Sequence, residues 1–107
     1  MTACYLIADV TVTDPERMAA YRVWSTRAMA EHGAEILVRG GAIEVLEGTW
    51  SPSRLVLLRF ASREAAQAFY RSETYSHART LRENAGVMRM VIADGVEPAP
   101  PQLEARR

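Results

Sequence analysis

The side chains of this 107-residue sequence best suited to chemistry are arginines and tyrosines. Arg39 and Glu47 flank a strand-like run, "LVRGGAIEVLEGTW", that glycines interrupt, and Arg54 begins the strand after it. Tyr21 falls on a first helical stretch; Tyr70, Tyr75, Arg79 and Arg82 fall on a second. Arginine can grip a carboxylate bidentately. Tyrosine presents an apolar body with a polar tip. A cleft lined by these eight residues would suit a small aromatic or anionic molecule. The same residues have structural uses, as core-margin tyrosines and as Arg–Glu ties between a turn and a helix. The two roles differ in an observable. A ligand role needs a concave pocket of ~300 Å³ or more with convergent polar groups, whereas a structural role leaves the residues mutually saturated.

Other chemistries find little support. His32 and His77 lie far apart and neither stands in a metal-ligand spacing, so no metal and no cofactor is expected. Cys4 opens an apolar strand and reads as a small core residue. Ser72 reads as a helix cap, and Gly40-Gly41 precedes strand residues rather than the helix of a phosphate loop. With one cysteine, neither an intrachain disulfide nor a four-cysteine zinc site is possible. Basic and acidic residues number 13 each, all the cations being arginine. That balance argues against nucleic acid as a partner, since counterion release needs a basic surface. The sequence starts with neither a signal peptide nor a membrane-spanning run, and it reads as a cytoplasmic protein.

The elements that must position the candidates follow from period and punctuation. Residues 3–12, "ACYLIADVTV", read as a buried central strand. Asp14 and Pro15 start a helix as N-cap and first helical residue. Met18, Tyr21, Trp24 and Ala28 form its apolar stripe, and Gly33 ends it. "EILVRG" and "AIEVLEG" are strand-like pieces about Gly40-Gly41. That dipeptide can turn a hairpin or bend one long strand through a bulge or a positive φ. The bend is preferred, with Gly48 ending the strand. Residues 54–60 form another strand. Ser62 caps a short helix and Ser72 a second helical piece that Gly86 closes; 87–94 form the last strand. The Pro-rich residues 97–107 read as a loose tail on a single domain, 1–96.

The order is βαββαβ, the ferredoxin-like α+β plan: a four-stranded antiparallel sheet with helices on one face. Alternation places Cys4, Leu6, Ala8, Val10, Val12, Val56, Leu58, Phe60, Met88, Met90 and Ile92 on one apolar face, which should take the helices. The other face mixes Ile7, Leu55, Leu57 and Val91 with Asp9, Arg59 and Arg89, and with Arg39 or Glu44 from the bent strand. It is too apolar for water and too charged for a dry core. A homodimer through this open face meets both demands, with Arg59 and Arg89 paired to Asp9 or Glu44. A partly solvated monomer sheet is the alternative.

Several of these residues carry a resemblance. The chain resembles a bacterial family known only as domain-of-unknown-function family thirteen-thirty. The matching features are "DP" at 14–15, Tyr21, "HGAEILVRGG" at 32–41, "LEGTWSPSRLV" at 46–56, Phe60, and "YRSETYSHARTLR" at 70–82. Ala34 departs from the second glycine that members often carry after Gly33. The resemblance implies a dimeric α+β barrel, in which two ferredoxin-like sheets face one another. It implies no reaction: that superfamily holds cofactor-free monooxygenases, isomerases, haem-handling proteins and stress-responsive members, and fold does not choose among them. Two function classes stand. One is a metal-free enzyme or binding protein for a small aromatic or anionic molecule. The other is a noncatalytic dimeric structural or stress-related module without a ligand.

Overall fold

The computed structural model describes residues 2–96. Its elements are β1 (Cys4–Val12), α1 (Pro15–Glu31), β2 (Glu35–Arg39), β3 (Leu55–Phe60), α2 (Arg63–Arg71), α3 (Glu73–Leu81) and β4 (Gly86–Asp94). The strands form one antiparallel sheet in the order β2-β3-β1-β4. This is the ferredoxin-like arrangement with its second helical region broken in two. The expected tail, 97–107, lies outside the described residues.

The helices start where side chains can accept orphan amides. Asp14 accepts the Arg17 amide at 3.2 Å ahead of Pro15, and Ser62 accepts that of Ala65 at 3.1 Å. Ser72 serves two helices. Its hydroxyl donates to the Phe69 carbonyl at 2.8 Å, closing α2, and accepts the Tyr75 amide at 3.1 Å, opening α3. The break turns Tyr75 inward, where its ring lies 4.6 Å from that of Phe69, itself 5.3 Å from Phe60. All three rings are fully buried. Each such burial contributes roughly 1.5–3 kcal/mol. Along α1 the stripe runs through Met18, Tyr21, Ala28 and Met29, with Trp24 at its edge. Gly33, at φ 67°, ends that helix.

The sheet faces divide as alternation requires. Cys4, Leu6, Ala8, Val10, Leu58 and Phe60 are buried beneath the helices, and Val12 emerges at the strand end. No helix covers the opposite face, where Val87 and Val91 are each 61% exposed and Trp50 reaches Asp9 from the 41–54 segment. Arg89 reaches Asp9 at 2.6 Å. Arg59 meets Glu35 at 3.4 Å, not Asp9 or Glu44, because the β2–β3 register sets Glu35 directly across from it.

Two expectations need correction. Residues 42–48 form no strand: β2 ends at Arg39, and 41–54 are irregular and almost wholly exposed. Gly40 does adopt the positive φ expected of a bend, 74°, and its amide reaches the Leu55 carbonyl at 3.0 Å. That bond uses up β3, whose first residue is Leu55, so the chain beyond has no ladder to join. The bulge lies earlier, where the register slips between Ile36 and Val38. Finally, Gly86 does not close α3. That helix ends at Leu81, Asn84 takes the left-handed turn at φ 61°, and Gly86 opens β4. Gly86 is needed for space, since a Cβ there would run into the Thr11 carbonyl of β1.

Candidate functional site

A cleft opens between α1 and the inner face of the sheet, and four of the eight candidates line it: Tyr21, Arg39, Arg54 and Tyr75. The local structure explains each placement. Tyr21 lies on the inward stripe of α1, and Tyr75 is carried in by the Ser72 break. Arg39 pairs with Val56, an inner-face position, at the end of β2. The bulge at Leu37 is what brings it there. With Glu35 outward and Ile36 inward, unbroken alternation would turn Arg39 outward. Arg54 precedes β3, and its carbonyl accepts the Val10 amide at 2.9 Å.

The phenol oxygens of Tyr21 and Tyr75 lie 2.7 Å apart, with the Met88 sulfur 3.8 Å from that of Tyr21. Burial, and then the neighbouring Tyr75, push the Tyr21 phenol well above its ordinary pKa. It therefore stays protonated as a hydrogen-bonding group rather than a base. Arg39 donates to the Thr26 hydroxyl at 2.7 Å, tying β2 to α1. The Arg54 guanidinium lies flat against Gly40, where a Cβ would fall 2.9 Å from its Cζ. The "RGG" glycine thus serves two ends, a left-handed backbone and a seat for Arg54.

Charge is uneven in the cleft. Arg22 joins Arg39 and Arg54 in the lining, and no aspartate, glutamate, histidine or cysteine does. Five ion pairs occur among the described residues, and none uses these three arginines. Burial, then the Arg22 and Arg54 charges, pull the Arg39 guanidinium below its ordinary pKa. The rest of the lining is largely apolar: Met88 and Met90 lie on β4, across β1 from β3, and Leu6, Val10, Leu58, Met18 and Met29 also contribute. The enclosed volume is about 40 Å³, well short of a drug-sized pocket and enough for one to three waters or a small anion. A larger, shallower cleft of about 270 Å³ lies between α2 and β4, lined by Ala66, Gln67, Tyr70, Arg71, Met90 and Ile92 among others. It gathers few of the polar candidates.

The other four candidates sit elsewhere. Arg82 does not line the cleft; its guanidinium lies 5.5 Å over the Tyr21 ring with a buried Nε that has no partner among the described residues. It is nevertheless on the helix side of the sheet, as Arg39 is. Tyr70 and Arg79 engage one another, with a 3.2 Å hydrogen bond and the guanidinium 4.5 Å over the ring. Glu47 stands on the exposed 41–54 segment, away from the arginines' hydrogen bonds. Arg22 and Ser25 are lining residues that sequence reasoning missed. Ser25 carried a signal, a small polar residue four positions after Tyr21 on an apolar stripe. Arg22 carried none, since the residue after a stripe position ordinarily points away.

The remaining polar residues have structural surroundings. The Cys4 thiol is buried in the core, and burial raises its pKa, the opposite of an activated nucleophile. His32 caps α1 against Phe69, and His77 packs on Trp24. No three His, Cys, Asp or Glu side chains among the described residues gather in a metal-binding group.

The fold recurs in solved structures. A protein of unknown function from Rhodopseudomonas palustris superposes with a TM-score of 0.72 at 18% identity, over 91% of this chain and 85% of its own. SnoaB, a cofactor-independent oxygenase from Streptomyces nogalater, gives 0.62 at 10% identity, over 94% and 99%. A putative antibiotic biosynthesis monooxygenase from Nitrosomonas europaea gives 0.54 at 18% identity, over 92% and 94%. At these identities the likeness is one of fold. No curated protein matches the chain. Residues 3–96 match the family described as Domain of unknown function (DUF1330), and the chain belongs to that family.

Proposed function

We propose that this protein is a homodimer that binds a small anionic molecule at the arginine end of the Tyr21–Tyr75 cleft. One observation carries the reading: Arg22, Arg39 and Arg54 gather at a partly buried cleft whose lining contains no carboxylate. Arg39 is partly desolvated and faces two like charges, Arg54 and the exposed Arg22, a cost that a bound anion would offset. A carboxylate on the protein would be the structural solution, and it is missing from the lining. The lining offers arginine and phenol groups, so binding and orientation of an anion are its chemistry, with the phenol pair able to donate to a ligand oxygen.

The dimer is proposed through the sheet face that no helix covers. Ile7, Leu57 and Val91 lie side by side there across three strands. The family resemblance carried by the sequence motifs implies a dimeric α+β barrel, in which two such sheets face one another. No helix among the described residues is long and apolar enough to cross a membrane. The balanced charge and the single buried free cysteine fit a cytoplasmic protein that does not bind nucleic acid. The alternative, a structural module without a ligand, draws support from the mutual saturation of Tyr21 with Tyr75 and of Tyr70 with Arg79, and from a cleft of about 40 Å³, far below the ~300 Å³ set for a ligand pocket.

Thermal melting in a panel of sodium salts at fixed ionic strength separates the two. A binding protein melts higher in one class of anion, and Arg39→Ala abolishes that gain. A structural module shows only the nonspecific order of salts common to folded proteins, and Arg39→Ala leaves that order unchanged while lowering melting equally in every salt.

A further inference from the structure

We infer that the ligand is a monocarboxylate with an apolar body, its carboxylate held by Arg39 and Arg54 and its body received among the cleft methionines. This rests on the anion-binding reading above and names the class of anion. Strand order separates the two kinds of lining, with Arg39 on β2 and Arg54 at the head of β3, and Met88 and Met90 on β4 beyond β1. All its charged side chains, Arg22, Arg39 and Arg54, are cations, with Arg39 and Arg54 both at the meeting of β2 and β3. Beyond them the lining is aliphatic, aromatic and thioether, with hydroxyls only at Tyr21, Tyr75 and Ser25. An inorganic phosphate would leave that apolar portion empty, and its oxygens seek donors on every side. A carboxylate presents two oxygens on one side, which suits guanidinium forks approaching from one end. Arg39 already donates one Nη to Thr26, which fixes the fork and leaves its other nitrogens available.

The enclosed space of about 40 Å³ admits only part of such a molecule as it stands. Four methionines line it, Met18, Met29, Met88 and Met90. Methionine is unbranched and polarisable and repacks around irregular apolar shapes more readily than leucine or isoleucine. The body therefore enters by displacing thioethers, and the Tyr21–Tyr75 hydroxyl pair meets any oxygen it carries.

The test is a calorimetric titration of the full chain with butanoate, pentanoate, hexanoate, hexan-1-ol and inorganic phosphate. Affinity is expected to rise about threefold to fourfold with each methylene of the acids. Phosphate is expected to bind at least tenfold more weakly than hexanoate. Arg54→Met is expected to lose at least tenfold for hexanoate and to leave hexan-1-ol within twofold; Arg22→Gln, at an exposed position of α1, gives a second and smaller loss in the same direction. A flat acid series, or phosphate binding as tightly as hexanoate, overturns the apolar-body inference and leaves the anion site standing. Saturable binding by none of the anions overturns both.

Discussion

The phenol oxygens of Tyr21 and Tyr75, separated by 54 residues, lie 2.7 Å apart in the floor of the cleft. Tyr75 is wholly buried and Tyr21 nearly so, so each hydroxyl depends on the other. Tyr75→Phe leaves the Tyr21 hydroxyl the Met88 sulfur at 3.8 Å and the neighbouring Ser25 hydroxyl, both weaker than the phenol it loses. We expect either single Tyr→Phe change to cost about 1–2 kcal/mol in urea denaturation. The double change should cost less than the sum, because no orphan hydroxyl remains. Strict additivity would show that the pair is not coupled.

Gly86 opens β4 where a side chain would strike the Thr11 carbonyl across the β1–β4 ladder. Backbone cannot yield as a flexible side chain can. Gly86→Ala should therefore destabilise by about 2 kcal/mol or more, within the range for overpacking and strain. Gly41→Ala meets nothing within 4 Å and serves as the control, expected to stay within about 0.5 kcal/mol of wild type. Equal effects at the two positions would contradict the register.

Asp9 on the open face accepts from Trp50 Nε1 at 3.2 Å and from Arg89 at 2.6 Å. The Trp50 hydrogen bond, then that of Arg89, hold its carboxyl below the ordinary value of 3.8. The folded state thus favours the charged form. The stabilisation is complete above the ordinary aspartate range and is lost as pH falls through the lower folded value. Melting temperature measured from pH 6 down to pH 2 should fall more steeply for the wild type than for Asp9→Asn. Parallel curves would remove Asp9 from the acid response.

Val91 stands opposite Ile7 on that face and is 61% exposed in the single chain. Exposed apolar patches of this kind mark interfaces. Light scattering should give a dimer at micromolar concentration, and Val91→Glu should shift it toward monomer with its circular dichroism unchanged. A wild-type monomer under the same conditions would contradict the proposed interface.

The fold was legible because its cues are local. Asp14-Pro15, Ser62 and Ser72 each state a helix start, and alternation in 4–10 and 54–60 states which face is buried. The 42–48 segment misled because "AIEVLEG" has strand composition, whereas a strand also needs a partner, and β3 begins too late, at Leu55, to provide one. The candidate site was half legible. Tyr21, Arg39, Arg54 and Tyr75 meet because they sit on elements that this topology packs together. Side-chain direction decided the rest: Arg79 turned to Tyr70, Arg82 to the ring of Tyr21, and Arg22 entered the lining unannounced. The bulge that turns Arg39 inward leaves no composition signal at Ile36-Leu37-Val38.

The most direct test of the central claim is a calorimetric titration of benzoate into wild-type protein and into Arg39→Ala. The wild type should show saturable binding at one site per subunit. Arg39→Ala should weaken it by about 1.5–3 kcal/mol, the worth of a charge-assisted hydrogen bond, with the dimer intact by light scattering. Absence of saturable heat in the wild type, or equal affinity in the two proteins, would contradict the assignment of this arginine cluster as an anion site.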